Sequence, residues 1–193
     1  MHVTHRLIAK SKIQGWRTFP EVAAVCLLAT GLLLLTPSGA VAAESNAPVA
    51  DDRPVIGIES RGPIKVVYQI SKSEAKNGVG KGLFYLNKLH EGYVKAGVDP
   101  ANLDIHAVFH GSAAEDLLTD EAWNRERNVT CGNPNSALIA DLAAKGISVE
   151  LCDTRRVANG WSKADVHPDV VLVGAAFQRI IDLQQRGYAY IRF

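Results

Sequence analysis

Between Ile64 and Ile191, short β-branched runs alternate with amphipathic helical stretches, and that alternation restricts the chain to few folds. Ile64-Lys65-Val66-Val67-Tyr68-Gln69-Ile70 reads as a strand, because β-branched and aromatic side chains suit a pleated, half-buried surface. Leu83, Leu86, His90 and Tyr93 then fall at helical spacing, and Gly97 ends that helix. Residues 103–109 alternate as a second strand, with His110-Gly111 as the turn out of it. Ser112 and Glu115 have capping-box spacing and predict a helix start. Asp120 to Arg127 is polar, a short helix or lid.

Asn133 and Pro134 predict the cap and first residue of a helix whose buried face is Leu138, Ile139 and Leu142. Gly146 ends it, and Ile147, Val149 and Leu151 form one face of a third strand closing at Cys152. Val170-Val171-Leu172-Val173 is continuously apolar, which predicts a fourth strand buried on both sides. Phe177, Ile180 and Ile181 mark a last helix, and Tyr188-Ala189-Tyr190-Ile191 a last strand. Strands and helices in this order predict an α/β fold: a three-layer α/β/α sandwich with a mostly parallel sheet of about five strands.

The first 43 residues stand apart. Arg6, Lys10, Lys12 and Arg17 form a basic region, residues 22–35 an apolar one, and Ala40-Val41-Ala42 supplies small residues at cleavage positions. That order predicts a secretory signal peptide, with export to the periplasm. The apolar run is shorter than the ~20 residues of a spanning helix, so no membrane span is expected after cleavage. Residues 44–62, rich in Ala, Asp, Pro and Gly, read as a linker with one short extended piece at residues 55–58, and residues 63–193 as the domain. The chain has 21 basic and 20 acidic residues; without positions 1–43 it keeps 17 against 19, a net −2. Such a balance gives no electrostatic case for binding nucleic acid. About 150 residues suffice for one core.

Cys131 and Cys152 remain after cleavage, an even pair that an oxidising compartment could join. Cys152 ends a strand at the edge where open α/β sheets bind ligands. A thiol there can carry sulfur, exchange disulfides or pack as a small apolar group. Arg155 and Arg156 follow it closely and favour a thiolate; Asp153 opposes them. His110-Gly111-Ser112, at a second strand end, is a candidate acid/base and anion site; a turn histidine with a structural hydrogen bond is the plain alternative. Gly78-Val79-Gly80-Lys81-Gly82 lacks the Gly-Lys-Ser/Thr ending of a phosphate loop and reads as a flexible loop. His90 and His106 have no partners at metal-ligand spacing, so packing is the default for both, and no metal or other cofactor is expected.

Several segments together resemble the DsrE/DsrF-like family, also called YchN-like. They are Lys65-Val66-Val67-Tyr68, Val108-Phe109-His110-Gly111, Asn133-Pro134-Asn135 with Leu142 and Gly146, Val149-Glu150-Leu151-Cys152, and the ending from Leu183 to Ile191. The resemblance spans nearly all of the chain after residue 63. It implies a small α/β protein that assembles as an oligomer, and in several members a cysteine that passes sulfur as a persulfide. The matching cysteine is Cys152. A leader peptide departs from the cytoplasmic relays of the family and implies a different, periplasmic sulfur donor or acceptor. Beside this role, Cys131 is expected as a resolving thiol or disulfide partner. The strand after a crossover helix returns to the level of the helix start, and a bridge would close about 20 residues for roughly 3 kcal/mol. The competing expectations are a binding or assembly module stapled by Cys131–Cys152, and an enzyme using the His110 edge as an anion site.

Overall fold

The computed structural model describes residues 53–192. The expected signal peptide, residues 1–43, and the start of the linker lie outside them. Residues 53–62 form no strand or helix, and Val55 and Ile56 are exposed, so the extended piece expected there joins no sheet among the described residues.

Five parallel strands build the main sheet: β1 (Ile64–Ile70), β4 (Leu103–Phe109), β5 (Ser148–Cys152), β6 (Val171–Val173) and β7 (Ala189–Arg192), in the order β6-β5-β4-β1-β7. A small hairpin, β2 (Ala75–Lys76) and β3 (Val79–Gly80), turns at Asn77-Gly78, a pair suited to the left-handed backbone of a two-residue loop. It runs directly into α1 (Lys81–Lys95). The other helices are α2 (Asp120–Arg127), α3 (Ser136–Ala144), α4 (Asp153–Ala158) and α5 (Ala176–Gln185).

Strand side chains alternate between the two faces. Val66, Tyr68, Ile70, Ile105, Ala107, Phe109, Val149 and Leu151 face one way and pack against Leu83 and Leu86 of α1 and Ile139 and Leu142 of α3. Val67, Val108 and Cys152 face the other way and meet Ala176, Ile180 and Leu183 of α5. The α1/α3 face is the larger core. On the second face α5 lies over β1 and β4, which leaves the β5 and β6 side partly open.

Three local expectations need correction. β6 is an edge strand with Val171 half exposed, because the chain leaves it for the far side of β1 and no strand among the described residues lies beyond it. The helix expected at Asn133 starts at Ser136. The Asn133 side chain instead brackets the preceding turn, donating from Nδ2 to the Asp116 and Leu118 carbonyls and accepting from the Asn135 amide. The Ser112–Glu115 box does not form: Gly111–Leu117 is a 3₁₀ segment, and the Ser112 hydroxyl accepts from the Ser73 amide.

Candidate functional site

The connection after β5 runs through α4 to Trp161 and Val166 in the larger core, while the connection after β6 is α5 on the opposite face. Adjacent strands whose following segments part to opposite faces open a crevice at their C-terminal ends. A cavity of about 410 Å³ lies there. Cys152, the last residue of β5, is on its wall with Thr154, Arg155 and Ala158 of α4, His110 and Gly111 from the end of β4, and Ala175, Ala176 and Phe177 at the start of α5. Four residues singled out in the sequence thus meet in one cavity: His110, Gly111, Cys152 and Arg155.

Cys152 is buried, 6 % exposed, and unbonded. His110 is fixed by a chain of side chains. The Tyr190 hydroxyl donates to Gln69 Oε1, and Gln69 Nε2 lies 2.8 Å from His110 Nε2. An amide nitrogen only donates, so His110 Nε2 accepts and Nδ1 carries the proton. Burial pushes the imidazole pKa down, and the charges of Arg192 and Arg155 act the same way, so His110 is neutral at neutral pH. Its ring packs edge-on to Phe177. Arg155 Nε donates to the Gly111 carbonyl at 3.1 Å, which ties α4 to the end of β4 and leaves both Nη atoms without a partner among the described residues.

Gly111 itself is forced by this geometry. Its φ is +58°, and a Cβ there would sit 2.5 Å from the Ser71 carbonyl oxygen. Gly111→Ala is expected to destabilise by about 1–3 kcal/mol in urea denaturation and to displace His110, weakening its contact with Gln69. An unchanged midpoint would show that this turn relaxes freely.

The remaining candidates lie elsewhere. Ser112 points its hydroxyl at the β1 loop. Arg156 is buried and committed, with Nε to Asp153 Oδ1 at 2.5 Å and Nη1 to the Trp161 carbonyl. Asp153 opposes the arginines by pairing with one of them, Arg156. Cys131 is exposed, unbonded and in a different cavity, beside Trp123 and Arg127. The pairing expected of Cys131 and Cys152 fails on faces rather than levels. α3 rises on the α1/α3 side, and its leading loop is drawn to α2 by Asn124 Oδ1 on the Gly132 amide and Asp120 Oδ1 on the Asn133 amide. Cys152 points to the α5 side.

Three charged residues, Glu150, Arg179 and Asp116, have no forewarning as site residues in the sequence. Glu150, inside β5, is fully buried and faces the α5 side, two residues before Cys152. Arg179 meets it with Nε–Oε2 and Nη2–Oε1 contacts of 2.9 Å each, and His106 Nδ1 lies 2.5 Å from Oε1. Burial alone would raise the carboxyl pKa; hydrogen bonds from His106 and Arg179, with their charge, overcome that and hold it at about 2. His106, read as a packing residue, is therefore part of an ionic cluster. Asp116, in the 3₁₀ segment, is also buried. The only available signal was a lone carboxylate within an otherwise apolar buried pattern. Among the described residues, no group of three or more His, Cys, Asp or Glu side chains could hold a metal, and no helix is long and apolar enough to cross a membrane.

Residues 66–193 match the model of the DsrE/DsrF-like family. The chain belongs to the DsrE/DsrF-like family. Among solved structures it is similar to MTH1491 of Methanobacterium thermoautotrophicum, a protein of unknown function, with 19 % identity and a TM-score of 0.51 over 67 % of this chain and 99 % of that one. It is also similar to the ychN protein of E. coli, with 18 % identity and a TM-score of 0.46 over 67 % and 100 %. No curated protein matches. At such identity the first of these structures supports the DsrE/DsrF-like fold and nothing finer.

Proposed function

We propose that this DsrE/DsrF-like chain is an exported sulfur carrier, with Cys152 accepting and delivering sulfane sulfur in the periplasm. The observation that carries the reading is a buried thiol at a strand end, in a cavity it shares with a neutral histidine and an arginine. The Cys152 thiolate attacks the outer sulfur of a donor persulfide R–S–SH. The donor S–S bond breaks, R–S⁻ leaves, and Cys152 holds the S–SH group, so no oxidant is needed. His110 Nδ1–H and the Arg155 guanidinium stabilise the persulfide anion, and the apolar wall of Ala175, Ala176 and Phe177 shields it from water and stray thiols. Delivery is the same exchange run towards an acceptor thiol.

Export rests on the basic, apolar and small-residue order of positions 1–43. Assembly with further copies of the chain is favoured by the apolar side chains exposed on α4 and α5 beside the cavity, Val157, Phe177 and Ile181.

Mass spectrometry after incubation with a persulfide donor tests the reading. Wild type is expected to gain one sulfur on the Cys152 peptide, removable by reductant, and Cys152→Ser to gain none there while Cys131→Ser loads normally. Equal loading of Cys152→Ser and wild type, all of it on Cys131, would sink the proposal.

A further inference from the structure

We propose that the chain has a second binding site, on the α1/α3 side of the same sheet edge, which takes a small amino acid as its zwitterion. A cavity of about 230 Å³ opens between the β2–β3 hairpin, the Gly111–Leu117 segment, α2 and the turn before α3. It is smaller than the ~300–1,000 Å³ of drug-sized pockets. Asp116 lies on its wall, 2 % exposed. Asp116 Oδ1 accepts from the Ser73 hydroxyl at 2.8 Å, while Oδ2 receives no hydrogen bond from any described residue. Among the described residues no cation is paired with it: Arg127, on the same wall, is bonded through Nη2 to Glu115 Oε2 at 2.7 Å. A buried carboxylate held by one neutral hydroxyl and no counter-ion is costly, which makes it a marker of a ligand.

Asn135, 1 % exposed, stands beside it. Its Oδ1 accepts from the Gly80 amide at 2.6 Å and its Nδ2 donates to no described residue. Among the described residues, the only enclosed side-chain polar atom without a partner is Trp161 Nε1. Asp116 Oδ2 and Asn135 Nδ2 therefore open onto the cavity they line. Gly80 keeps the space clear, since a Cβ there would fall 2.8 Å from Asp116 Oδ2.

The order of groups reads as a complement. An anionic acceptor lies on the wall, an amide donor stands next to it, and the Arg127 guanidinium is on the same wall, stacked 4.7 Å over the Trp123 ring and bonded to Glu115 through Nη2 alone. Trp123, Arg127 and Pro134 are shared with a neighbouring cavity of about 520 Å³ that adds Val129, Cys131 and Gly132. An ammonium on Asp116, a carboxylate on Arg127 and Asn135 Nδ2, and a side chain against Trp123, Pro134 and Val129 would use every one of these features. An anion alone would meet Asp116. An amine alone would leave Arg127 and Asn135 unused.

Isothermal titration of the protein with the common amino acids, one at a time, is the test. At least one is expected to bind saturably at millimolar concentration or below. Its decarboxylated amine and its deaminated acid should each bind about tenfold more weakly or worse, the loss of one charged contact. Asp116→Asn, nearly isosteric, and Arg127→Gln, at the surface, are expected to lose about tenfold, while Cys152→Ser binds like wild type, which separates this site from the sulfur site. Absence of saturable binding by any of the amino acids overturns the proposal. So does binding that survives both Asp116→Asn and Arg127→Gln, or an amine that binds as well as its parent.

Discussion

Arg179→Met is expected to lower the stability of the fold by roughly 3–5 kcal/mol, measured by urea denaturation at neutral pH. The change removes both guanidinium contacts to Glu150, a carboxylate with no exposure, and leaves it to His106 and to the Ser148 hydroxyl at 3.0 Å. A buried charge stripped of one partner costs more than the pair contributed when whole, because desolvation is then uncompensated. The double variant Arg179→Met/Glu150→Leu should recover much of the loss, since an apolar pair needs no solvation. Acid gives an independent readout. The carboxyl is held at about 2 against an ordinary 4.5, so the native state binds the proton more weakly than the unfolded chain. Its contribution is fully present above the unfolded pKa and lost as pH falls from about 4.5 through about 2, amounting to about 3 kcal/mol. Arg179→Met should flatten that part of the acid profile. A loss below about 1 kcal/mol would mean the pair behaves as a solvent-screened surface bridge. Because Arg179 lies on α5, whose first residues wall the Cys152 cavity, the same variant is expected to load sulfur more slowly.

The architecture was legible because periodicity reports it directly. Alternating runs gave the five strands, and Cys152 at the end of one of them placed it at the ligand-binding edge of the sheet. What periodicity omits is which face a connection takes and which strand stands outermost. Strand order speaks to the heights of Cys131 and Cys152 along the strand axis, whereas their separation is across the sheet, fixed by contacts of Asn124 and Asp120 with the loop before α3. The Val170–Val173 run is as apolar as a central strand, yet it lies at the edge because the next crossover returns past β1. Glu150 was invisible as a site residue for another reason: its partners, Arg179 and His106, are 29 and 44 residues away, and only the folded sheet brings them together. The Asn133 cap signal was real in chemistry and divided in use, since its Oδ1 accepts from the Asn135 amide just ahead of α3 while its Nδ2 satisfies carbonyls of a neighbouring turn.

Asp116→Asn is expected to act in the opposite direction and stabilise the protein at about pH 8 by roughly 2–3 kcal/mol. Burial raises the Asp116 carboxyl to about 6 from an ordinary 3.8; the Ser73 hydrogen bond and the Arg127 charge offset only part of that, and Glu115 adds to it. The native state therefore binds this proton more tightly than the unfolded chain. The stability that comes with protonation is fully present below about pH 3.8 and is lost as pH rises through about 6. Asparagine stays neutral throughout, and its amide oxygen can still accept from Ser73. Wild type and variant should consequently show similar urea midpoints below about pH 4, diverge between about pH 4 and 6 and stay apart above that, with the variant the more stable. A difference that does not change with pH, or a variant less stable at about pH 8, would show that the carboxylate is already compensated within the fold. A residue whose removal strengthens the protein while weakening amino-acid binding is the pattern of a site held against stability. The two measurements together distinguish that from an ordinary buried hydrogen bond, for which both stability and any binding would fall together.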